Sequence, residues 1–473
     1  MNDPVGGLRS TVGRASGDDA SASTHRPAVS VTSVTTRGTR LECTLDYHPR
    51  LRPFFDERTL FVEYDTDVSG VPEGIAVIPL LAQVCPVAWA VGADVRAPVV
   101  DSRYLDSLET VGGVLAEMYP FVDGGKVIVE EAATDAAGDL DASAGLGADD
   151  GEAGMLFTGG VDSLATYVRH RGEDPTLINV RGWMVGADDD RWAHIEPRIE
   201  AYGDRFDADV EFVRSNMLDV LGTTMLAAHF SDRHDGGWYS AVGGGLGMLG
   251  LCAPLAAATG MDRLYIAASH WAGFPVPDSL AHWDGPAMPW GSHPDIDGNV
   301  AWSGTDVVHD GFELTRQERV EVIADYVAES HPDLPVRACE SSPTGDNCND
   351  CEKCFRTALG LAFAGLDPTD HGFALDANDF ARARRHLATG AWLPGVEESV
   401  YWEEFGRLAA ERDSLPIEDD AATLRWLRDT DFGGVAGKPV SDRIVRTVAR
   451  TLPYPVYSRL YPVYNAVIQA VGR

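Results

Sequence analysis

The stretch from Gly154 to Ser163 constrains the fold of this chain more than any other, because its residue types change in a fixed order. A short apolar run, 155–157, is followed by the polar and glycine residues 158–160 and then by the start of a helical pattern at 161–163. This order predicts a strand, a tight glycine turn and a helix. Such a turn directs several backbone N–H groups and a helix N-terminus towards one point, which favours binding of a phosphate.

Each residue type in this turn has a chemical use at a phosphate site. The paired glycines, Gly159 and Gly160, let the backbone approach an anion closely. Ser163 can add a hydroxyl donor, and Asp162 can help to hold a Mg²⁺ ion on the phosphates. The alternative interpretation is a glycine turn capped by Asp162 that binds no ligand.

Four cysteines form a second cluster with the spacing C-x8-C-x2-C-x2-C, namely Cys339, Cys348, Cys351 and Cys354. Two residues between cysteines let both sulfurs turn onto one ion, and four thiolates complete a closed tetrahedral Zn²⁺ site. The spacing therefore predicts a structural zinc. An iron–sulfur cluster and a set of unrelated free thiols are the alternatives.

The turn resembles the Ser-Gly-Gly-x-Asp-Ser motif of the PP-loop ATP pyrophosphatases, with Thr158 in place of the usual Ser. Together with the later cysteines, it resembles the 7-cyano-7-deazaguanine synthase family over residues 154–365. The resemblance implies an ATP- and Mg²⁺-dependent enzyme that cleaves ATP between the α- and β-phosphates. It also implies that AMP is attached to a small-molecule carboxylate or amide acceptor, and that ammonia or another nitrogen donor then displaces it.

The resemblance implies a role for each residue that matches the motif. Backbone N–H groups and hydroxyls are expected to hold the phosphates, at Thr158, Gly159, Gly160, Val161 and Ser163. Asp162 and Ser163 are the candidate catalytic residues. His270, which follows a predicted strand at 263–267, is a further candidate for cofactor binding, since ligands in such sheets bind beyond the carboxyl ends of strands.

Two other functions stay open. A tRNA-modifying PP-loop sulfurtransferase would need a spare catalytic cysteine and a basic RNA-binding face. A non-catalytic nucleotide-binding or scaffold protein would keep the fold without the chemistry. A second metal site from His270, His282 and His293 is a further alternative, although their spacing matches no known ligand pattern.

Alternation of strands and helices from 155 to 267 predicts an α/β fold with a doubly wound parallel sheet of the PP-loop type. Further strands are predicted at 60–64, 75–81 and 126–129, and the glycines and prolines of 271–311 predict no regular element there. The predicted organisation is a disordered tail at 1–29, an N-terminal α+β domain at 30–131, an acidic linker at 132–153, the PP-loop domain at 154–365 and a helical C-terminal extension at 366–473.

The amino-acid composition indicates the cellular environment in which the protein is expected to work. The chain of 473 residues carries a formal charge of −35, with 73 acidic against 38 basic residues. This acidity is typical of proteins from a salt-saturated, halophilic cytoplasm, and it argues against broad nucleic-acid binding, which needs a basic face. The cysteine pattern also favours a reducing cytoplasm. The uncharged stretch 239–261 is predicted to be a buried helix rather than a membrane span.

The last segment, 442–473, reverses the sign of the chain, with five arginines against one acid, Asp442. Four tyrosines are interleaved with the arginines. One interpretation is an amphipathic segment on an anionic membrane surface. The other interpretation is a helix that docks its basic residues on the acidic remainder of the protein. The sequence favours this second interpretation, because molar salt would screen the attraction between the arginines and an anionic membrane.

Overall fold

The structure is a computed structural model of the whole chain. It describes residues 26–133, 152–183, 185–230, 237–277, 280–339, 344–389 and 396–432, and the single residues Ser342, Trp392, Leu452, Val456, Arg459, Leu460 and Val463. Most of the predicted tail, the predicted linker and the segment 442–473 lie outside the described residues. The first strand begins at Ala28, so the predicted disordered tail is too long by two residues at its end.

The described residues have an α/β architecture with a large multi-stranded sheet and helices, compatible with a doubly wound fold. The strands are β1 (Ala28–Arg37), β2 (Arg40–Tyr47), β3 (Thr59–Tyr64), β4 (Asp94–Asp101), β5 (Val127–Ala133), β6 (Glu152–Leu156), β7 (Thr176–Arg181), β8 (Val210–Ser215), β9 (Met261–Ala267), β10 (Ala301–Trp302) and β11 (Thr305–Asp310).

The helices are α1 (Glu73–Ala76), α2 (Ile78–Ala90), α3 (Ser102–Met118), α4 (Val161–His170), α5 (Trp192–Phe206), α6 (Met217–Val220), α7 (Thr223–Phe230), α8 (Gly244–Thr259), α9 (Pro294–Asp297), α10 (Arg316–Glu329), α11 (Glu352–Phe363), α12 (Ala377–Thr389), α13 (Val396–Ala410) and α14 (Asp420–Asp429). A π-helical turn, Tyr239–Gly243, leads into α8.

The chain divides into two compact units, and both are discontinuous in sequence. Unit 1 comprises Met1–Glu152, Phe212–Leu264 and Pro289–Val308, and unit 2 comprises the remaining residues. These units differ from the contiguous ranges predicted from the sequence, because two later segments pack with the first 152 residues. Packing between segments far apart in the chain leaves no local pattern in the sequence.

Unit 1 is built on a mixed sheet. β1 pairs with β2 and β2 with β3 in antiparallel fashion, while β1 pairs with β4 and β4 with β5 in parallel. Helix α2 is buried along its whole length, and α8 packs closely against it. A Cβ on Gly250 would collide with Ala82, and the Gln83 amide donates to the Gly247 carbonyl oxygen at 3.0 Å. The glycines of α8 therefore permit close helix packing.

One helix among the described residues, Tyr239–Thr259, is long and apolar enough to cross a membrane, and 83% of its most apolar window is buried inside the protein. The prediction of a buried helix at this position is confirmed.

The prediction of a strand at 75–81 is wrong, because α1 and the start of α2 occupy those residues. A continuous apolar run does not distinguish a buried strand from a buried helix, and Pro79 falls in the first turn of α2, where proline is tolerated.

Unit 2 contains the predicted glycine turn. β9, whose residues 265–267 belong to this unit, β6 and β7 are neighbours in that order, and β6 pairs with β7 in parallel. The chain passes from β6 to β7 on one side and returns as β9 on the other, so the strand order reverses at β6. In open α/β sheets, ligands bind in the crevice at such a reversal, beyond the carboxyl ends of the strands.

The segment 271–311 contains regular elements, contrary to the prediction, namely α9, β10 and β11. Pro294 is the first residue of α9, and Gly304 adopts a φ of 88° in the turn between β10 and β11. Proline and glycine stand at the ends of these elements, where they favour regular structure rather than interrupt it. The helical extension predicted after residue 366 contains α12, α13 and α14.

Candidate functional site

The predicted turn lies between β6 and α4 and is formed by Thr158, Gly159 and Gly160. Gly159 has a φ of +71°, in the left-handed region. A Cβ at this position would lie 2.5 Å from the ring of Tyr202, so a side chain is excluded by space as well as by conformation. The turn is therefore packed closely on its inner side by an aromatic ring.

The N-terminus of α4 faces this turn without a side-chain cap, because its cap residue is Gly160. The first N–H groups of a helix have no partner within the helix, and the helix dipole makes that end positive. Thr158 is exposed, and its hydroxyl lies 3.3 Å from the hydroxyl of Ser163. Hydroxyls and backbone donors thus lie together at an accessible helix N-terminus, the arrangement that accommodates an anion.

Asp162, in the first turn of α4, is held by two arginines. Its Oδ1 accepts from Arg319 Nη1 at 2.8 Å, and its Oδ2 accepts from Arg316 Nη1 at 2.6 Å. Burial opposes the charged carboxylate, but the attraction of both guanidinium groups outweighs it and lowers the pKa of Asp162. Both oxygens are engaged, so the arrangement favours a role for Asp162 in orienting the turn over the expected coordination of Mg²⁺.

Arg319 connects the turn to the end of β9. Its side chain is 2% exposed and donates to the carbonyl oxygens of Ala268 and His270, each at 2.6 Å, and of Gly311 at 3.1 Å. His270 therefore joins the network through its main chain. Its ring is buried and lies 4.4 Å from the ring of Phe274, centroid to centroid, so its surroundings are those of a packed aromatic residue.

A short extended segment, 335–339, holds the other side of the turn. The Arg337 N–H donates to the Gly159 carbonyl oxygen at 2.9 Å, and Gly160 pairs with Arg337 as an isolated parallel bridge. The Tyr202 hydroxyl donates to the Pro335 carbonyl oxygen at 2.6 Å. Cys339 lies two residues beyond Arg337, so the same segment contacts the turn and carries the first cysteine of the cluster.

The four cysteines meet, as their spacing predicts. The sulfurs of Cys339, Cys348, Cys351 and Cys354 all lie within 4.8 Å of one another, and none forms a disulfide. The hydrogen bond between Cys351 and Cys354 lowers the pKa of Cys351 and raises that of Cys354, and thiolates are the form that binds metal. Four sulfur ligands at this separation can hold a metal ion such as zinc.

Asn347 positions the first two cysteines. Its Oδ1 accepts from the backbone N–H of Ala338 at 2.8 Å, and its Nδ2 donates to the Val336 carbonyl oxygen at 2.8 Å. The last two cysteines are positioned by α11, since Cys351 is the residue that precedes the helix and Cys354 lies in its first turn. In the described ranges no second group of three or more metal-binding side chains comes together, so the three histidines do not form the alternative site.

Sequence reasoning missed Arg316, Arg319 and Asn347. A signal for the two arginines was present: Thr315 and Glu318 form a capping box that marks the start of α10. The box would have placed both arginines on the first turn of a helix. It would not have indicated that this turn meets Asp162.

Comparisons of the chain with protein-family models, with curated proteins and with solved structures found no match. The fold and the geometry of the site are therefore the observations on which a functional interpretation rests. They define an α/β protein with an accessible, uncapped helix N-terminus after a central strand and a four-cysteine cluster able to bind metal.

Proposed function

We propose that this protein is an ATP-dependent adenylating enzyme of the PP-loop type, similar to the 7-cyano-7-deazaguanine synthases. A carboxylate or amide oxygen of a small-molecule acceptor attacks the α-phosphorus of ATP, the bond to the β-phosphate oxygen breaks, and pyrophosphate leaves. Ammonia or another nitrogen nucleophile then attacks the activated carbon and AMP leaves. The nitrogen loses its proton to solvent or to a basic group.

The observation that carries this proposal is the position of the turn. It follows β6, the strand at which the order β9–β6–β7 reverses, and it opens onto an uncapped helix N-terminus. A nucleotide phosphate there would accept backbone N–H donors from Gly159 to Val161 and hydroxyl donors from Thr158 and Ser163. The closed inner side of Gly159 leaves the outer side of the turn for the ligand.

Electrostatics support an anionic ligand at this turn. Two guanidinium groups, of Arg316 and Arg319, face the single carboxylate of Asp162, and the attraction of Lys353 for that carboxylate adds a third cation. A local excess of positive charge next to a helix N-terminus stabilises phosphate groups and the charge that develops as pyrophosphate leaves. Mg²⁺, bound with the nucleotide, would supply further neutralisation of that charge.

The cysteines disfavour thiolation of tRNA. Outside the four-cysteine cluster the sequence has Cys43, Cys85 and Cys252, and all three are buried. Burial raises the pKa of Cys43 and of Cys252 to about 12 and raises that of Cys85 as well. A catalytic thiol needs a low pKa and access to its substrate. The described part of the chain therefore offers no candidate for a catalytic cysteine outside the metal cluster.

The test is exchange of labelled pyrophosphate into ATP, measured with a panel of small carboxylates and amides in molar KCl. Exchange that depends on an acceptor, with AMP rather than ADP as the nucleotide product, is expected. Thr158→Val removes one expected phosphate donor with little change in volume and is expected to lower exchange by about tenfold, the value of one hydrogen bond to a charged group.

Thr110→Val is the matched control, because Thr110 lies on α3 and its hydroxyl bonds only to a carbonyl of its own helix, that of Asp106. This variant is expected to keep wild-type exchange. ADP as the sole product, or equal exchange in both variants, would contradict the proposal. Saturable ATP binding without any turnover across the panel would instead favour the non-catalytic nucleotide-binding protein.

A further inference from the structure

A small cavity lies between helices α10, α11 and α13, and all the residues around it belong to unit 2. Its volume of about 10 Å³ is room for one molecule of the size of water. Each of the three helices contributes polar or aromatic side chains to its wall, namely Arg316, Gln317, Arg356, Thr357, Tyr401 and Glu404. Polar cavities of this size hold small molecules that their walls can hydrogen-bond, whereas apolar ones stay dry.

The hydroxyl of Thr357 points to a ligand in this cavity. Thr357 lies on α11 and is 4% exposed. Its Oγ1 has no hydrogen-bond partner among the described residues. Buried hydroxyls in folded proteins are nearly always hydrogen-bonded, so a molecule in the cavity is the partner to expect for this one.

Two guanidinium groups determine the charge that the cavity accepts. Arg356 is fixed by the hydrogen bond from its Nε to Glu352 Oε1 at 2.9 Å, and its guanidinium lies 4.2 Å from the centre of the Tyr401 ring. Arg316 donates from Nη1 to Asp162 at 2.6 Å. Two nearby cations disfavour a third, so a molecule with a basic nitrogen is held here as the neutral base rather than as its conjugate acid.

Glu404 supplies the wall with a hydrogen-bond acceptor. It is partly buried, and this burial raises the pKa of its carboxyl group against the attraction of Arg407. A carboxylate of raised pKa is a stronger base than an exposed glutamate, so Glu404 can take a proton from a bound molecule. Its negative charge also disfavours an anion in the cavity.

From the size of this cavity and the groups around it, we propose that it binds ammonia, the nitrogen donor of the adenylating reaction proposed above, on which this inference rests. Ammonia has the size of water and is neutral as the free base. Its N–H groups donate to Thr357 Oγ1 and to the carboxylate of Glu404, which leaves the lone pair for attack. Arg316 connects the cavity with the glycine turn, because it lines the cavity and holds Asp162.

The second half of the reaction then has a base at the nitrogen. The lone pair of ammonia forms a bond to the activated carbonyl carbon, and the bond from that carbon to the AMP oxygen breaks. Glu404 accepts one proton from the nitrogen and later releases it to solvent. The products are the amide of the acceptor and AMP.

The test separates the two half-reactions in molar KCl. Exchange of labelled pyrophosphate into ATP with a carboxylate acceptor needs no nitrogen, whereas amide formation from the same acceptor and ammonium chloride does. Thr357→Val is expected to raise the KM for ammonium about fivefold, the value of one hydrogen bond. Glu404→Gln is expected to lower kcat for amide formation by about a hundredfold or more, the usual contribution of a general base. Both variants are expected to exchange pyrophosphate as the wild type does.

Two matched controls and a second amine accompany these variants. Glu403→Gln changes the neighbouring, exposed glutamate of α13 and is expected to form amide at the wild-type rate. Thr259→Val removes a hydroxyl that donates to Leu255 in its own helix, at 3.0 Å, and is expected to keep the wild-type KM for ammonium. Methylamine adds one carbon that a cavity of this size does not admit, so the wild type is expected to use it at least fivefold less efficiently than ammonia.

A structural water is the alternative occupant, because it has the same size and bonds to the same groups. Normal exchange together with wild-type ammonium kinetics in either Thr357→Val or Glu404→Gln would favour water and overturn the ammonia site alone. Equal use of methylamine would overturn it as well. Absence of exchange in the wild type would reject the proposed function and the ammonia site with it. A melting temperature equal to that of the wild type excludes unfolding as the cause of a kinetic change.

Discussion

At the scale of single residues, Asp162 has a different environment from the one its motif indicated. The motif suggested a carboxylate directed at the phosphates or at Mg²⁺, whereas the structure surrounds it with Arg316 and Arg319. The contact with Arg319 joins residues 157 positions apart. No periodicity or local spacing predicts such a contact, which explains why the motif was recognisable from the sequence and its partners were not.

Asp162→Asn is expected to destabilise the fold, because it leaves the buried guanidinium of Arg319 without its charge partner. Loss of one partner from a buried ion pair costs about 3 kcal/mol or more. Denaturant unfolding in molar KCl measures the difference. Asp189→Asn breaks the more exposed pair with Arg191 and is expected to cost much less, because solvent screens an exposed ion pair. Equal effects of the two substitutions would show that Asp162 is not an anchor of the turn.

His170, at the other end of α4, supplies a pH-dependent contribution to stability. Its Nε2 lies 2.9 Å from Asp310 Oδ1 and its Nδ1 lies 3.0 Å from Glu173 Oε1. The hydrogen bond with Asp310, opposed in part by burial and aided by Glu173, raises the pKa of His170. The folded state therefore binds the proton more tightly than the unfolded state does.

His170→Gln is accordingly expected to lower the free energy of unfolding most at a pH below about 6.5, the ordinary pKa of histidine. The difference from the wild type is expected to disappear as the pH rises through the raised pKa of the folded state. Urea unfolding from pH 5.5 to pH 9 measures it. His194→Gln, at an exposed histidine on α5, is the control. A constant difference across this range would contradict the assignment of a charged His170.

At the scale of elements, local patterns predicted several strands and helices. The turn between β6 and α4, the strands β7 and β9 and the buried helix α8 lie where the sequence indicated. The run at 75–81 was assigned wrongly because it is apolar throughout, and α2 is buried on every side. The approach of the cysteines was predictable from their spacing. The hydrogen bonds of the Asn347 side chain were not, since they join it to backbone groups 9 and 11 residues earlier in the chain.

The four-cysteine cluster is expected to contain about one zinc ion per purified chain. Cys351→Ser is expected to lose the metal and to lower the melting temperature, because binding of a structural metal contributes to folding free energy. Elemental analysis and calorimetry measure both effects. Cys252→Ala, at a buried cysteine outside the cluster, is expected to keep the zinc. Iron with sulfide, or no metal in the wild type, would contradict the assignment.

At the scale of the whole molecule, the excess of acidic residues predicts dependence on salt. A formal charge of −35 implies self-repulsion in the folded state that salt can screen. The screening length is about 30 Å at 0.01 M and about 3 Å at 1 M. The melting temperature is therefore expected to rise steeply with KCl and then to level off. A melting temperature that stays constant from dilute to molar KCl would show that the excess of acidic residues has another cause.

The segment 335–339 has one further consequence for the molecule. It contacts the turn through Arg337 and carries a cysteine of the cluster two residues later. A ligand that fixes the segment at one of these two points therefore restricts its motion at the other. Two ligands that share such a segment are thermodynamically linked, and linkage of equilibrium affinities is reciprocal. If zinc raises the affinity for a nucleotide by some factor, the nucleotide must raise the affinity for zinc by the same factor. A chelator at a given concentration then removes less of the metal from the nucleotide-bound protein at equilibrium.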